Sequence, residues 1–309
     1  MYPLKMKPSI KYLIWGGTQL KQIYHKDCTA DNAGESWELS THPAGESVVA
    51  NGAFAGQSLV QVLTAHPEFA PADFPLLFKL IDANRDLSIQ VHPDDAYARA
   101  HENSPRGKTE MWYIIDAKPG AKIGYGWKRD MTAQEVRAAV QNGALEQEIN
   151  YIPVSAGEAY FIPAGTVHCL CEGLLVAEIQ QNSNTTYRLY DYQRKDKEGK
   201  LRPLHLEESL AVANLHAAKD AKPVSGENVL LAQCPYFSIR KYTGQTVSRN
   251  TDGHFHIVFC VSGQGQILSS AEPQPITAGD TYLIPANLGA YTVQGDGVYL
   301  VCTEQEEAE

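Results

Sequence analysis

The sequence predicts a mainly β protein folded as two small jelly-roll barrels with a few helices. Three observations carry that expectation. Short runs rich in Val, Ile, Tyr and Phe, such as MWYII at 111–115, AYFIP at 159–163, VLLAQ at 229–233 and HIVFCV at 256–261, are punctuated by 24 glycines and 17 prolines. That is the pattern of many short strands joined by turns. Helical patterns are few. Finally, AGEAYFIPA at 156–164 returns as AGDTYLIPA at 278–286, an offset of 122 residues with six of nine positions identical and Glu/Asp and Phe/Leu as conservative replacements, so the chain contains an internal duplication.

Taken in order, GQSLVQVLTAH at 56–66 reads as a helix, and so does the segment after Thr132, because Thr132 and Glu135 have capping-box spacing before an Ala/Val-rich run. A third candidate, HLEESLAVANLHAAKD at 205–220, is amphipathic and leads to Lys222-Pro223 and the polar SGEN. That proline marks the expected boundary between an N-terminal domain over 1–222, with helical additions, and a smaller C-terminal domain over 223–309. Each copy of the repeat is a Gly turn, an alternating strand and a proline turn, suited to a strand pair at the mouth of an antiparallel barrel. Upstream of the second copy lies HFHIVFCVSGQGQI (254–267), and upstream of the first lie SIQVHPDD (88–95) and GKTEMWYII (107–115). Both halves resemble cupin domains, small β-barrels whose inward-facing residues commonly hold a metal.

Composition narrows the function classes. With 309 residues and 43% hydrophobic content the chain can bury a sizeable core. The 26 basic against 36 acidic residues give a net charge of −10, which repels nucleic acid and anionic membrane. No signal-length apolar run opens the chain and no window approaches ~18 apolar residues, so a soluble, cytoplasmic protein is expected. Oligomeric state is left open. The six cysteines are scattered, which argues for reduced thiols rather than a disulfide framework. Only Cys169 and Cys171 are close, and their spacing is not the CxxC of a zinc site.

The first half carries a polar constellation. Gln90 and His92 stand at i and i+2 of a strand and face the same way. Glu110 opens the next apolar strand, and His168 follows the IPAGTV turn of the repeat. Two imidazoles, a carboxylate and an amide on a barrel interior are costly to bury unless something satisfies them. A divalent first-row ion such as zinc would do so and keep open positions. In the second half, His254 and His256 lie where metal ligands are expected, but Cys260 occupies the expected carboxylate position and Ala290 is the equivalent of His168. The C-terminal barrel is therefore expected to be structural.

WGG at 15–17, SIQVHPDD at 88–95, GKTE at 107–110, FIPAGTVH at 161–168 and EIQQNSNTTYR at 178–188 together resemble type I mannose-6-phosphate isomerase, in its shorter bacterial form. The resemblance covers nearly the whole chain. It implies interconversion of mannose 6-phosphate and fructose 6-phosphate with one zinc per chain, held by Gln90, His92, Glu110 and His168. It also matches Arg188 to the family's active-site arginine. After that arginine the chain continues LYDYQRKDKEGK, which departs from the long enzymes, so no contact from that segment transfers.

An aldose–ketose isomerisation through an enediolate needs a proton-transfer group, an electrophile and a phosphate anchor. Arg188, always charged and able to donate in a fixed fork, suits the enediolate or a sugar oxygen. Lys108 and Glu178 are both candidates for proton transfer. Lys108 would need a lowered pKa, and is equally a candidate phosphate anchor; Glu178 could instead orient a ligand histidine. Ser88 is a candidate substrate contact, and Trp15 with Gly16 and Gly17 a candidate pocket wall. Trp37, Glu38 and His42 occur in a stretch, ESWELSTH at 35–42, found near the sugar pocket in the resembled family. RKDKEGK at 194–200 reads as a solvated hairpin turn, and His101, His205 and His216 have no partners at ligand spacing. The alternatives are an iron-dependent cupin dioxygenase and a non-catalytic sugar-binding cupin.

Overall fold

Four β-sheets stack in layers in this computed structural model, which describes residues 1–102, 104–195, 198–218 and 222–304. The first pair forms the N-terminal sandwich. One of its sheets has six strands in the order Ala159–Ile162, Glu110–Ala117, Leu174–Gln181, Leu76–Ala83, Ala33–Leu39 and Ser9–Gly17; the other has five, Tyr187–Tyr190, Ile89–Val91, His168–Leu170, Lys122–Trp127 and Ile149–Pro153. The second pair forms the C-terminal sandwich. Its seven-stranded sheet runs Val229–Gln233, Ser238–Thr243, Val298–Thr303, His256–Ser262, Thr281–Ile284, Leu4–Lys7 and Val48–Val49, and faces a four-stranded sheet of Val247–Asn250, Ala290–Gly295, Gln264–Leu268 and Gln274–Thr277. The expected mainly β, cupin-like architecture is what the chain adopts, each barrel being a facing pair of sheets.

The six- and seven-stranded sheets lie back to back, and Phe78, Leu80, Met111, Ile179, Phe255, Phe259 and Leu300 share the core between them. This explains why the strand Leu76–Ala83 is buried along its whole length. Its Phe78 and Leu80 face the other sandwich, while Ile81 and Ala83 face the interior of their own. The strand Leu4–Lys7 pairs with Thr281–Ile284, so the start of the chain is built into the C-terminal sheet, across the sequence boundary near Pro223.

Two expected helices form with the anticipated caps. Leu59–Ala65 begins at Ser58 with a Ser58/Gln61 capping box, and Ala133–Gln141 begins at Thr132 with the Thr132/Glu135 box. The candidate at 205–220 is shorter than expected. Only Leu206–Val212 is helical, because Ala213 turns extended; residues 219–221 of that stretch lie outside the described residues. Short helices at Gln19–Tyr24, Asp95–His101 and Leu145–Glu148 were not anticipated by the apolar pattern. All six cysteines are free thiols, and Cys169 and Cys171 are both buried. Among the described residues no helix is long and apolar enough to cross a membrane.

Candidate active site

Three central strands of the six-stranded sheet place charged side chains on the inward face of the N-terminal sandwich. Cross-strand register puts Lys79 beside Glu178 and Glu178 beside Trp112, with Glu110 two residues before Trp112. From the opposing sheet, His168 pairs with Gln90 and Gln90 with Arg188. His92 follows directly after the strand Ile89–Val91. Alternation in the strands thus aims two groups of polar residues at one another across an otherwise apolar interior.

His92, Glu110 and His168 converge, with one ligand atom from each lying within 4.8 Å of the others. His92 Nε2 is 3.5 Å from Glu110 Oε2, and His168 Nε2 is 3.4 Å from Glu110 Oε1. Both imidazoles donate Nδ1–H to backbone carbonyls, His92 to Thr185 and His168 to Thr166, at 2.9 and 2.8 Å. Each Nε2 therefore carries the lone pair, the tautomer a metal ligand needs; at His92 it accepts from Lys108 Nζ at 2.9 Å. Burial holds His92 well below the usual imidazole range and His168 at about 4, with the Lys108 charge adding to the effect. Burial, then the Glu178 charge, raises Glu110 to about 7. Glu110 Oε1 is buried without a hydrogen-bond partner. Two neutral imidazoles and an unsatisfied carboxylate oxygen are a donor set that fits a divalent cation. Gln90 lies beside this set, its Nε2 3.4 Å from His168 Nε2 and its Oε1 accepting from Ser88 Oγ.

Above this cluster opens a cavity of about 430 Å³, within the range of small-molecule sites. Trp15, Ser88, Gln90, Lys108, Glu178 and Arg188 all line it, whereas Gly16 and Gly17, expected in its wall beside Trp15, do not. Some details differ from expectation. Lys108 is not driven to a lowered pKa. Burial does pull it down, but Glu110 at 2.5 Å and Glu178 at 3.8 Å outweigh burial and raise it. Glu178 is pushed up by burial but held below its usual range by Lys108, Lys79 and the Trp112 indole, which donates to Oε2 at 3.0 Å. Gly16 and Gly17 serve close packing within the protein: a Cβ on Gly16 would meet the Gly34 backbone at 2.4 Å, and one on Gly17 the Asp82 carboxylate at 2.7 Å.

Sequence reasoning missed Lys79, Lys11, Arg202 and His205, and left Glu35 without a role; all line the cavity. Lys79 had a signal, since it is the one charged residue within the apolar run LLFKLI. It lies 3.8 Å from Glu35 and 3.4 Å from Glu178. Trp37 also lines the wall, whereas Glu38 faces the other way, onto Lys26 and Thr281. The 194–200 run is bracketed by a Lys195–Leu201 bridge, and its residues 196–197 lie outside the described residues.

The second sandwich corrects one expectation. Ile162 and Ile284 are the same position of the repeat; the first pairs with Glu110 and the second with His256. His256 therefore takes the place of Glu110, and His254 that of Lys108, rather than of metal ligands ahead of a carboxylate at Cys260. Likewise Ala290, the counterpart of His168, pairs with Asn250 where His168 pairs with Gln90. His256 is buried and engages the Tyr291 hydroxyl at 2.7 Å through Nδ1.

Two family models match the chain, the type I phosphomannose isomerase catalytic domain over residues 3–119 and the mannose-6-phosphate isomerase cupin domain over 227–303. The probable mannose-6-phosphate isomerase GmuF of Bacillus subtilis is 38% identical over 312 residues, covering 97% of this chain and 98% of its own. The mannose-6-phosphate isomerase ManA of the same organism is 38% identical over 304 residues, covering 95% and 96%. The crystal structure of a mannose 6-phosphate isomerase from Bacillus subtilis aligns over 98% of this chain and 99% of its own, with a TM-score of 0.90 and 34% identity.

Proposed function

Because the chain belongs to the type I mannose-6-phosphate isomerase family, we propose that it interconverts mannose 6-phosphate and fructose 6-phosphate in the cytoplasm, at one zinc site in its N-terminal sandwich. The observation that carries the proposal is the union of two features. His92, Glu110 and His168 form a buried donor set, and the cavity above them is lined by five cations, Lys11, Lys79, Lys108, Arg188 and Arg202, against two carboxylates, Glu35 and Glu178. In a protein of net charge −10 that local excess favours an anionic sugar over the apolar substrate of a dioxygenase.

His92, Glu110, His168 and the Gln90 amide would hold the zinc, which when bound polarises the carbonyl and hydroxyl oxygens of the open-chain sugar. The chain's own groups divide the remaining work. Glu178 is ionised, and its Oε1 has no hydrogen-bond partner, so it is placed to take the C2 proton of the aldose and return it to C1. Lys108 keeps its proton because two carboxylates flank it, and it donates to the sugar oxygens on which negative charge develops. Arg188 has no hydrogen bond or ion pair from its side chain among the described residues, and its guanidinium is free to grip the enediolate. Ser88 fixes the Gln90 amide, and Trp15 closes the wall against water. Running the reaction in deuterated water tests the assignment: wild type should place deuterium on the reacting carbon, and Glu178→Gln should lose both exchange and turnover. Turnover at the wild-type rate in Glu178→Gln would assign the proton transfer elsewhere.

A further inference from the structure

Asp191, Arg202 and His205 lie in or just after the segment that departs from the resembled family beyond Arg188, and none has a role in the chemistry above. Arg202 forks onto the Asp191 carboxylate, Nε to Oδ2 and Nη2 to Oδ1, while Arg194 Nη2 donates to the same Oδ1. Two guanidiniums thus share one carboxylate, itself only 4% exposed, and Arg188 stands near them without a partner of its own. The fork leaves Arg202 Nη1 unengaged among the described residues, and Arg202 lines the cavity. His205 lines it too, and its Nδ1 accepts from the Arg188 backbone N–H at 3.2 Å. With the ring neutral its hydrogen is then on Nε2, and burial together with the Arg188 charge lowers the imidazole pKa against the opposing pull of Glu208 and Glu102. The two carboxylates of the lining, Glu35 and Glu178, belong to the opposite sheet. This wall therefore offers donors and excess positive charge, with Asp191 already occupied by two guanidiniums, which is the condition for holding a phosphate dianion.

We propose that Arg202 and His205 form the phosphate anchor of this chain, with Asp191 as the positioning residue that fixes Arg202. The inference rests on the isomerase reading for the sugar that carries the phosphate. Arg188 pairs with Gln90 in the neighbouring strand, so it bridges the metal end of the cavity to this anchor. A hexose phosphate would then lie with its reacting carbons over His92, Glu110 and His168 and its ester toward Arg202.

The test compares the metal-loaded wild type with Arg202→Gln and Asp191→Asn. The readouts are KM and kcat for mannose 6-phosphate, inhibition by mannitol, which lacks a phosphate, and calorimetric titration with inorganic phosphate. Loss of one charge-assisted contact should raise KM for mannose 6-phosphate by ~10–100-fold in Arg202→Gln and weaken inorganic phosphate binding in parallel. The change in kcat should be smaller and mannitol inhibition should stay within about twofold. Asp191→Asn should shift KM in the same direction by less, and it carries the test if Arg202→Gln does not fold. KM and phosphate binding at wild-type values, or mannitol inhibition weakened in step with KM, would overturn the anchor. A wild type that turns over no mannose 6-phosphate would instead sink the isomerase reading, and the phosphate titration would still decide the anchor.

Discussion

The two sandwiches share a register and differ in what lines them. In the first, the cross-strand neighbours Trp112 and Glu178 face the interior, with Glu110, His168 and Lys108 around them. In the second, the corresponding cross-strand neighbours are Val258 and Val301, packed with Tyr282, Tyr299, Ile267 and Val293 in a continuous apolar core. Taking an ion out of water costs several kcal/mol even after relaxation, and well-packed apolar residues at such sites are often neutral or stabilising. The C-terminal lining is what stability favours on this scaffold. The N-terminal lining keeps Lys79, Lys108, Glu110 and Glu178 buried at a cost, and its orphaned Glu110 and Glu178 oxygens leave coordination and hydrogen bonding for a metal and a substrate.

Breaking the first lining should have the largest effect. Glu110→Ala removes the only carboxylate of the donor set, so metal content should fall well below one per chain and isomerase activity by roughly 1,000-fold or more, read by metal analysis alongside turnover. Arg188→Ala should lower turnover by about 100-fold or more while metal content persists, because the guanidinium acts on charge present mainly in the transition state; loss of metal in that variant would make Arg188 structural.

The metal-free site should also respond to pH in a particular way. Burial and the Glu178 charge push Glu110 up, to about 7, whereas burial pushes His168 down to about 4 and His92 well below its usual range. Binding the cation therefore displaces one proton below pH 7, and affinity should fall about tenfold per pH unit from 7 down to 5 and level off above 7. Competition with a chelator across that range measures the slope. A slope of two or more near pH 6 would mean the histidines are protonated too.

The smallest effect belongs to the second sandwich. His254→Ala with His256→Ala should leave the metal at one per chain, at a stability cost of about 1–3 kcal/mol because the buried His256–Tyr291 hydrogen bond and ring contact are removed. Thermal unfolding and metal analysis of the same sample read both. A halved metal content would place a ligand in the wrong half.

Legibility from sequence followed locality. Gln90-x-His92, Lys108-x-Glu110 and the IPAGTVH turn announce themselves by spacing within single strands, and the duplication announces the architecture. His256 was misplaced because an HxH pair imitates Gln90-x-His92 by local pattern, while strand register aligns it with Lys108-x-Glu110. Lys79 was readable as a lone cation in an apolar strand. Arg202 and His205 were not, because a hairpin excursion carries them back to the cavity and no local period records that return. The same holds for Leu4–Lys7, whose place in the C-terminal sheet depends on a partner strand nearly 280 residues away.

The central claim is that one metal-dependent isomerase site operates in the N-terminal sandwich. It is tested most directly by incubating the zinc-loaded protein with mannose 6-phosphate and following fructose 6-phosphate, with and without a chelator. Conversion that the chelator abolishes and added zinc restores is the predicted result. No conversion by the zinc-loaded protein, or conversion indifferent to complete metal removal, would contradict it.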